Sequence, residues 1–128
     1  MNQYKTKLLG TGHYLPERIL TNHDLEKMVE TSDQWIVERT GIRERRITPV
    51  GLATTDLALI ASRHALEAAN MKPADIDMII FATVSPDQMM PNAACVLQNK
   101  LGCGTCVAWD LNAACSGFLF GTSVANQY

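Results

Sequence analysis

The segment from Ser116 to the C-terminus constrains the fold of this chain more than any other stretch. It has the pattern of a helix that is apolar on nearly every side, and such a helix belongs in the middle of a structure. Gly117, Gly121 and Ala125 share one face of it. Each interior glycine costs about 1 kcal/mol relative to alanine, and the usual reason for a pair is close approach of another helix. We expect a missing half, or another chain, to cover this helix. A core helix with a fortuitous glycine pair is the alternative.

Helical and strand patterns alternate along the rest of the chain. A first strand within 4–16 precedes two short helices, one beginning at Thr21 or Asn22 and one running from Ser32 to a stop at Gly41. The remaining predicted elements are a long helix over 54–70 closed by Pro73, a buried strand over 77–85, a helix over 92–102 and a buried strand over 105–111. This order favours an α/β layered fold in a single domain, residues 1–128.

The long helix has a predicted core face that includes a histidine. The residues that share this face are Leu57, Ile60, Ala61, His64 and Ala68. We therefore interpret His64 as a core residue, and His13 and His23 as loop or helix-start residues.

Composition and charge exclude several classes of function. The net charge is -2, so nucleic acid is not expected as the main partner, because phosphate binding needs a basic surface. The longest apolar run, "MIIFATV", is too short to cross a bilayer. No signal peptide is visible at the N-terminus, so we expect a soluble, cytoplasmic protein without a membrane partner.

Four cysteines, Cys95, Cys103, Cys106 and Cys115, are expected to be free thiols in a reducing compartment. The pair in "CGTC" lies between a helix end and a strand, whereas a thioredoxin-like pair opens a helix. A zinc site needs two further ligands at suitable spacing. We therefore predict neither a redox pair nor a metal site.

Cys115 lies where a predicted strand gives way to the C-terminal helix. The N–H groups at a helix start stabilise a thiolate and can also hold an oxyanion. A nucleophile is one interpretation of this position. A small buried hydrophobic residue is the other.

Trp35 and Arg39 are four residues apart and share one face of a predicted helix. Such a pair can stack a nucleobase and meet a phosphate. The alternative is a partly buried Trp35 beside a solvated Arg39. Arg43, Arg45 and Arg46 follow in what reads as a solvated loop.

Three motifs in the right order, "TSDQWIVERTGIRERR", "MMPNAACVLQ" and "DLNAACSGF", closely resemble the N-terminal half of the β-ketoacyl-acyl-carrier-protein synthase III family. The likeness runs from about Tyr4 to Tyr128. It implies a thiolase-like α/β fold in which this N-terminal half has a mixed sheet and a buried central helix. It also implies a homodimer and a C-terminal half that is absent from this chain.

The resemblance implies a condensing enzyme that starts fatty-acid synthesis. Cys115 would take an acyl group, typically acetyl, from an acyl-CoA and condense it with malonyl-acyl-carrier protein. Coenzyme A thioester is then a substrate, and no cofactor is expected. A histidine and an asparagine of the C-terminal half would stabilise the carbanion, while the N–H of Cys115 and a glycine N–H would form the oxyanion hole.

By resemblance, four further residues bind substrate. Trp35 stacks on the adenine of CoA, and Thr31 and Arg39 contact its nucleotide end. Met90 lies in a segment that crosses the dimer interface and lines the partner's acyl pocket. Many members have an aromatic residue at this position, and because methionine adapts its shape, slightly longer or branched acyl groups must also be considered.

Two other hypotheses stay open from the sequence. Related acyltransferases or secondary-metabolite condensing enzymes keep the fold and the cysteine but change the acceptor. An inactive fragment or binding subunit that needs a second chain is the other hypothesis.

Overall fold

The structure is a computed structural model that describes residues 6–128. The chain divides into two compact units, one formed by residues 15–52 and the other by residues up to 14 together with 53–128. The prediction of one domain over 1–128 stays a prediction. In chain order the elements are β1 (Ile19–Thr21), α1 (Asn22–Glu26), α2 (Asp33–Thr40), β2 (Glu44–Arg46), α3 (Thr54–Ala69), a 3-10 turn (Pro73–Asp75), β3 (Met78–Ala82), α4 (Ala93–Leu101), β4 (Val107–Leu111), a 3-10 turn (Ala114–Ser116) and α5 (Gly117–Ala125).

The unit of residues 15–52 is organised by helix caps. The Thr21 hydroxyl accepts the N–H of Asp24 at the start of α1, and the Asp24 carboxylate accepts the N–H of Thr21 in return. Ser32 accepts the N–H of Trp35 and begins α2, and Gly41 ends it with a φ of 72°. Both helix starts and the α2 stop agree with the sequence prediction, because Ser, Thr and Gly act at helix ends through local hydrogen bonds and positive φ.

In the same unit β1 and β2 pair antiparallel, with Ile19 opposite Arg46. The prediction of a loop for the three arginines is thus wrong for Arg45 and Arg46, which belong to β2. Asn22, the first residue of α1, is buried and donates to Asp33 and to the carbonyl of Ile42, both at 2.8 Å. Arg45 donates to the Asn22 oxygen at 2.6 Å, which satisfies both ends of the buried amide.

The larger unit is built on the β3–α4–β4 connection. β3 and β4 are parallel, with Met78 opposite Val107 and Ala82 opposite Leu111, and parallel neighbours need such a crossover. α4 begins after Asn92 and ends at Gly102, which has a φ of 76°, as the sequence predicts. Ala93, Ala94 and Leu97 of this helix are buried.

The α/β fold class is confirmed, with strands that form one antiparallel and one parallel pair in the described residues. Within residues 6–16 no strand is present, so this part of the predicted first strand is wrong, and residues 4 and 5 lie outside the described residues. No helix in residues 6–128 is long and apolar enough to span a membrane.

The predicted core face of α3 is wrong at His64 and at Ala68, which is also exposed. His64 shows the difference best. Its side chain is exposed, and Nδ1 lies 2.9 Å from the carbonyl oxygen of His13. Thr55 is fully buried instead, and Ala58 and Ser62 line a cavity with β3. Because α3 is apolar and alanine-rich over more than half its circumference, periodicity alone did not select the buried side. His23 lies in the first turn of α1, as predicted.

Candidate active site

Cys115 is exposed and sits in the 3-10 turn between β4 and α5, so it lies at the strand–helix junction that the sequence predicts. The interpretation as a small buried hydrophobic residue is wrong for its location in this chain. The preceding residue, Ala114, has a φ of 45°, which is unfavourable for a residue other than glycine. The turn therefore holds the cysteine in a conformation that a regular helix start would not provide.

The N–H groups that follow Cys115 are engaged within the turn. Ser116 N–H donates to the carbonyl of Ala113 at 3.0 Å, and Gly117 N–H donates to the carbonyl of Ala114. These two groups therefore do not serve as oxyanion donors in this conformation. The N–H of Cys115 itself is the donor that the family resemblance names.

Two loops meet the carboxyl edge of the parallel pair. The N–H of Thr83 donates to the carbonyl of Leu111 at 3.1 Å, just beyond the last paired residues of β3 and β4. The loop after β3 carries Met90, and the turn after β4 carries Cys115. Ligands of open α/β sheets bind outside this edge, because the loops there can converge on one site.

Gly117 and Gly121 face strand β3. A Cβ on Gly117 would lie 3.0 Å from the Cβ of Ala82, and one on Gly121 would lie 3.7 Å from Cγ2 of Ile80. The glycine pair therefore brings α5 onto the sheet. The expectation that these glycines admit another helix is wrong within this chain, because a helix can approach a strand as closely as it approaches a second helix.

The opposite side of α5 is open. Phe118 is 75% exposed, Leu119 71% and Phe120 57%. Three successive large apolar side chains exposed to this degree are unusual for a monomer surface. The sequence expectation that further polypeptide covers α5 agrees with this exposure.

Asp110 is a site-positioning residue that the sequence reasoning missed. It lies in β4, and its carboxylate accepts the N–H groups of Ala93 at 2.9 Å and Ala94 at 2.8 Å. The strand that leads to Cys115 is thereby fixed to the first turn of α4. A carboxylate inside the apolar strand "VAWDL" is itself a signal, since a half-buried charge needs a partner.

Trp35 and Arg39 share one face of α2, as predicted. The Arg39 guanidinium carbon lies 4.8 Å from the centre of the Trp35 ring, within the range of a cation–π contact. Trp35 is 53% exposed and Arg39 is exposed as well, so binding of a nucleotide and partial packing both stay open for this pair. Thr31 and Trp35 line a surface cleft of about 300 Å³ together with Glu30 and Ser32.

The other cysteines differ from Cys115. Cys103 is 5% exposed, and burial raises the pKa of its thiol above the ordinary value of 9.0. Cys95 and Cys106 are half-buried, and all four thiols are free. Among residues 6–128 no three His, Cys, Asp or Glu side chains are grouped so that they could hold a metal ion.

Comparison with known proteins agrees with the resemblance of the motifs. The chain is 58% identical to β-ketoacyl-[acyl-carrier-protein] synthase III of Caldanaerobacter subterraneus over 94% of its length, and 54% identical to that of Methylococcus capsulatus over all of it. It spans 37% and 40% of these two relatives. No family model matches the chain.

Solved structures give the same result. The crystal structure of 3-oxoacyl-[acyl-carrier-protein] synthase III from Aquifex aeolicus superposes with a TM-score of 0.90 at 47% identity, covering 94% of this chain and 39% of that one. The priming β-ketosynthase of the R1128 polyketide pathway superposes with a TM-score of 0.89 at 34% identity, with 94% and 36% covered.

A parallel β3–α4–β4 unit that leads through a cysteine turn into an apolar helix is thus the N-terminal part of a thiolase-like α/β fold. By sequence, the chain is similar to part of the β-ketoacyl-[acyl-carrier-protein] synthase III enzymes over nearly its whole length.

Proposed function

We propose that this chain carries the nucleophile of a condensing enzyme that starts fatty-acid synthesis from an acyl-CoA, typically acetyl-CoA, and malonyl-acyl-carrier protein. The observation that carries the proposal is the exposed Cys115 in a turn at the carboxyl edge of β3 and β4. Relatives up to 58% identical that bear the synthase III name support it.

The proposed reaction has two steps. The Cys115 thiolate attacks the thioester carbonyl, the bond to the CoA sulfur breaks, and the CoA thiolate leaves and takes up a proton. The malonyl group then loses carbon dioxide, and the resulting carbanion attacks the acyl-cysteine carbonyl. A carbon–carbon bond forms, the bond to Cys115 breaks, and the thiolate is regenerated. Thiolates suit both steps because they are strong nucleophiles and good leaving groups. Acyl transfer of this kind needs no resident cofactor.

The second step needs groups that we place outside this chain. Two of the three histidines have other side-chain contacts: His64 meets the His13 carbonyl, and His23 lies 3.1 Å from Glu26. We propose that the histidine and the asparagine that stabilise the carbanion belong to a C-terminal half, whose polypeptide also covers the exposed face of α5.

Coenzyme A is proposed to bind at the cleft of Thr31 and Trp35. Arg39 lies over one face of the Trp35 ring, which supports stacking of adenine on an aromatic plane beside a positive charge. Arg39 and Thr31 would meet the nucleotide end. Arg43, an exposed residue just before β2, is available to attract phosphates or the acidic carrier protein.

The proposed assembly is a cytoplasmic homodimer in which Met90 lines the acyl pocket of the partner. Met90 is 85% exposed in this chain, which suits a side chain that contacts a second copy. No nucleic acid or membrane is proposed as a partner.

The test is acylation of Cys115 in the full-length polypeptide. Incubation with acetyl-CoA, followed by peptide mass spectrometry, should find one acetyl group on the peptide that contains Cys115. Cys115→Ala should remove it, whereas Cys95→Ala, which alters a half-buried thiol, should retain it. An unacylated Cys115 in a folded wild-type protein would refute the proposal and favour the inactive subunit.

A second candidate keeps the acyl-cysteine but changes the acceptor. The similarity to a priming β-ketosynthase of a polyketide pathway favours it, although the identity of 34% is lower than that of the synthase III relatives. Supplying the acetylated enzyme with malonyl groups on the fatty-acid carrier protein and on a polyketide carrier protein separates the two, since a 3-oxoacyl product formed only with the fatty-acid carrier protein supports the first candidate.

A further inference from the structure

The loop between β3 and α4, residues 83–92, carries two highly exposed apolar side chains. Met89 is 89% exposed and Met90 85%. Burial of these side chains cannot order the loop within this chain, so polar contacts elsewhere in the loop must set its conformation.

Asp87 ties this loop to the first turn of α3. Its carboxylate accepts the N–H of Thr55 at 2.9 Å and also the Thr55 hydroxyl. Thr55 is fully buried, so the donor side of these hydrogen bonds is shielded from water, whereas Asp87 itself is exposed. The Thr54 hydroxyl adds a second link by donating to the carbonyl of Ser85 at 2.8 Å.

Lys100 on α4 fixes the direction of these hydrogen bonds. Its ammonium group can only donate, and it donates to the Thr55 hydroxyl oxygen at 2.7 Å and to Asp56 at 2.6 Å. The Thr55 hydrogen must therefore point to Asp87. Asp87 thus accepts two donors at once, one at each oxygen, which an ionised carboxylate does and an amide cannot.

The far end of the loop is fixed independently. Asn92 accepts the N–H of Cys95 at 2.8 Å, and Asp110 accepts the N–H groups of Ala93 and Ala94. The loop is therefore held on both sides of Met90, by Asp87 to α3 and by Asp110 to β4.

We propose that Asp87 is a positioning residue that, through Thr55 and Lys100, holds the loop so that Met90 is presented to the acyl pocket and sets which acyl groups are accepted. This inference rests on the proposed function. Because an asparagine at position 87 cannot accept both donors, Asp87→Asn loses one hydrogen bond without losing volume.

The experiment compares Asp87→Asn with Asp75→Asn in the full-length polypeptide. Asp75 is a matched control because its carboxylate also accepts a backbone N–H, that of Lys72 at 2.8 Å, but at the amino end of β3. Two quantities are measured for each variant. One is amide hydrogen exchange of residues 83–92, and the other is kcat/KM for Cys115 acylation by acetyl-CoA and by a branched four-carbon acyl-CoA.

In Asp87→Asn we expect exchange in residues 83–92 to rise about 5- to 30-fold, the effect of losing one part-buried hydrogen bond whose donor side is buried. The kcat/KM for acetyl-CoA should stay within about twofold. The ratio of the acetyl to the branched-acyl value should change about threefold to tenfold, at or below the low end of the roughly 10- to 200-fold that one methylene group in a fitted pocket provides. Asp75→Asn should change neither quantity. A second pair of variants controls for folding. Thr55→Ser keeps the hydroxyl and should retain the acyl selectivity, whereas Thr55→Val removes the hydroxyl and should lose the acyl selectivity.

Two results overturn the proposal. Unchanged exchange in residues 83–92 of Asp87→Asn would show that the carboxylate does not order the loop. Faster exchange with an unchanged ratio of the two kcat/KM values, or an equal fall in kcat/KM for both acyl-CoA substrates, would show that Asp87 has a merely structural role. Failure of the proposed function is distinct, because the wild-type protein would then acylate Cys115 with neither substrate.

Discussion

Substitution of the two glycines of α5 by alanine should have opposite effects. At Gly121 an added Cβ would lie 3.7 Å from Ile80, which is an ordinary carbon contact. Since Gly121 lies inside the helix, Gly121→Ala should stabilise α5 by about 0.5–1 kcal/mol through lower backbone entropy in the unfolded chain.

At Gly117 the added Cβ would lie 3.0 Å from Cβ of Ala82, about 0.5–1 Å short of a normal carbon contact. The helix must then move off the strand, and overpacking of this kind costs about 1–3 kcal/mol. Gly117 is the first residue of α5, so little helix propensity is gained in compensation. We expect the two variants to differ by about 2 kcal/mol in the local stability of α5, combining these effects.

Amide hydrogen exchange of α5 in the full-length polypeptide measures this difference. Exchange should slow in Gly121→Ala and accelerate about fivefold or more in Gly117→Ala, because 1 kcal/mol is a factor of about five. The rate of Cys115 alkylation should change only in Gly117→Ala, which displaces the residue two positions after the cysteine. Equal protection of α5 in both variants would refute the argument that close approach to β3 requires the glycine at 117.

Three other predictions concern thiols, coenzyme A and acid. Brief, limiting iodoacetamide should label Cys115 first and Cys103 last by tryptic mapping, because Cys115 is exposed and burial raises the pKa of the Cys103 thiol. Trp35→Ala should weaken acyl-CoA binding about 10- to 100-fold in calorimetry, since stacking on a base is worth about 1–3 kcal/mol, whereas Gln34→Ala on the same helix should not. The hydrogen bond from Lys100 and, to a smaller extent, that from the Ala53 N–H lower the pKa of Asp56 below its ordinary value of 3.8. Asp56→Asn should therefore reduce the free energy of unfolding above about pH 4. This difference should vanish as the pH falls through the folded-state pKa.

Each of these has a contradicting outcome. Preferential labelling of Cys103 or Cys106 would remove Cys115 as the most reactive thiol. An unchanged dissociation constant in Trp35→Ala would return that residue to packing. A stability difference between wild type and Asp56→Asn that persists in strong acid would mean that the carboxylate charge does not stabilise the fold.

Elements with signals at both ends were predicted from the sequence almost to the residue. α2 lies between Ser32 and Gly41, and α4 between Asn92 and Gly102, and each of these end residues acts within its own helix turn. Cys115 was also placed correctly, at the junction of a strand and a helix, because the short apolar strand before it and the helix after it are both visible in the sequence. Local chemistry determines these features, and a sequence displays local chemistry directly.

Features that depend on distant partners were not predicted. Asp87 and Thr55 are 32 residues apart, and nothing near either one indicates the other. β1 and β2 have three residues each, too few for a period-two pattern to be recognised. The glycines of α5 indicated a close approach correctly but not its partner, because spacing on a helix specifies a face and not what packs against it.

The β3–α4–β4 connection also bears on the order in which the chain folds. Contacts that anchor α4 to β4 join residues 16 and 17 apart, whereas the His13 carbonyl meets His64 across 51 residues and Thr6 bonds Asn126 across 120. Loop closure costs more entropy as the closed loop lengthens, by about 0.6 kcal/mol per doubling. Ribosomal synthesis delivers residues 6–13 before their partners, which lie on α3 and after α5. Residues 6–13 are thus synthesised before the residues that they contact, and they are among the last to form their native contacts.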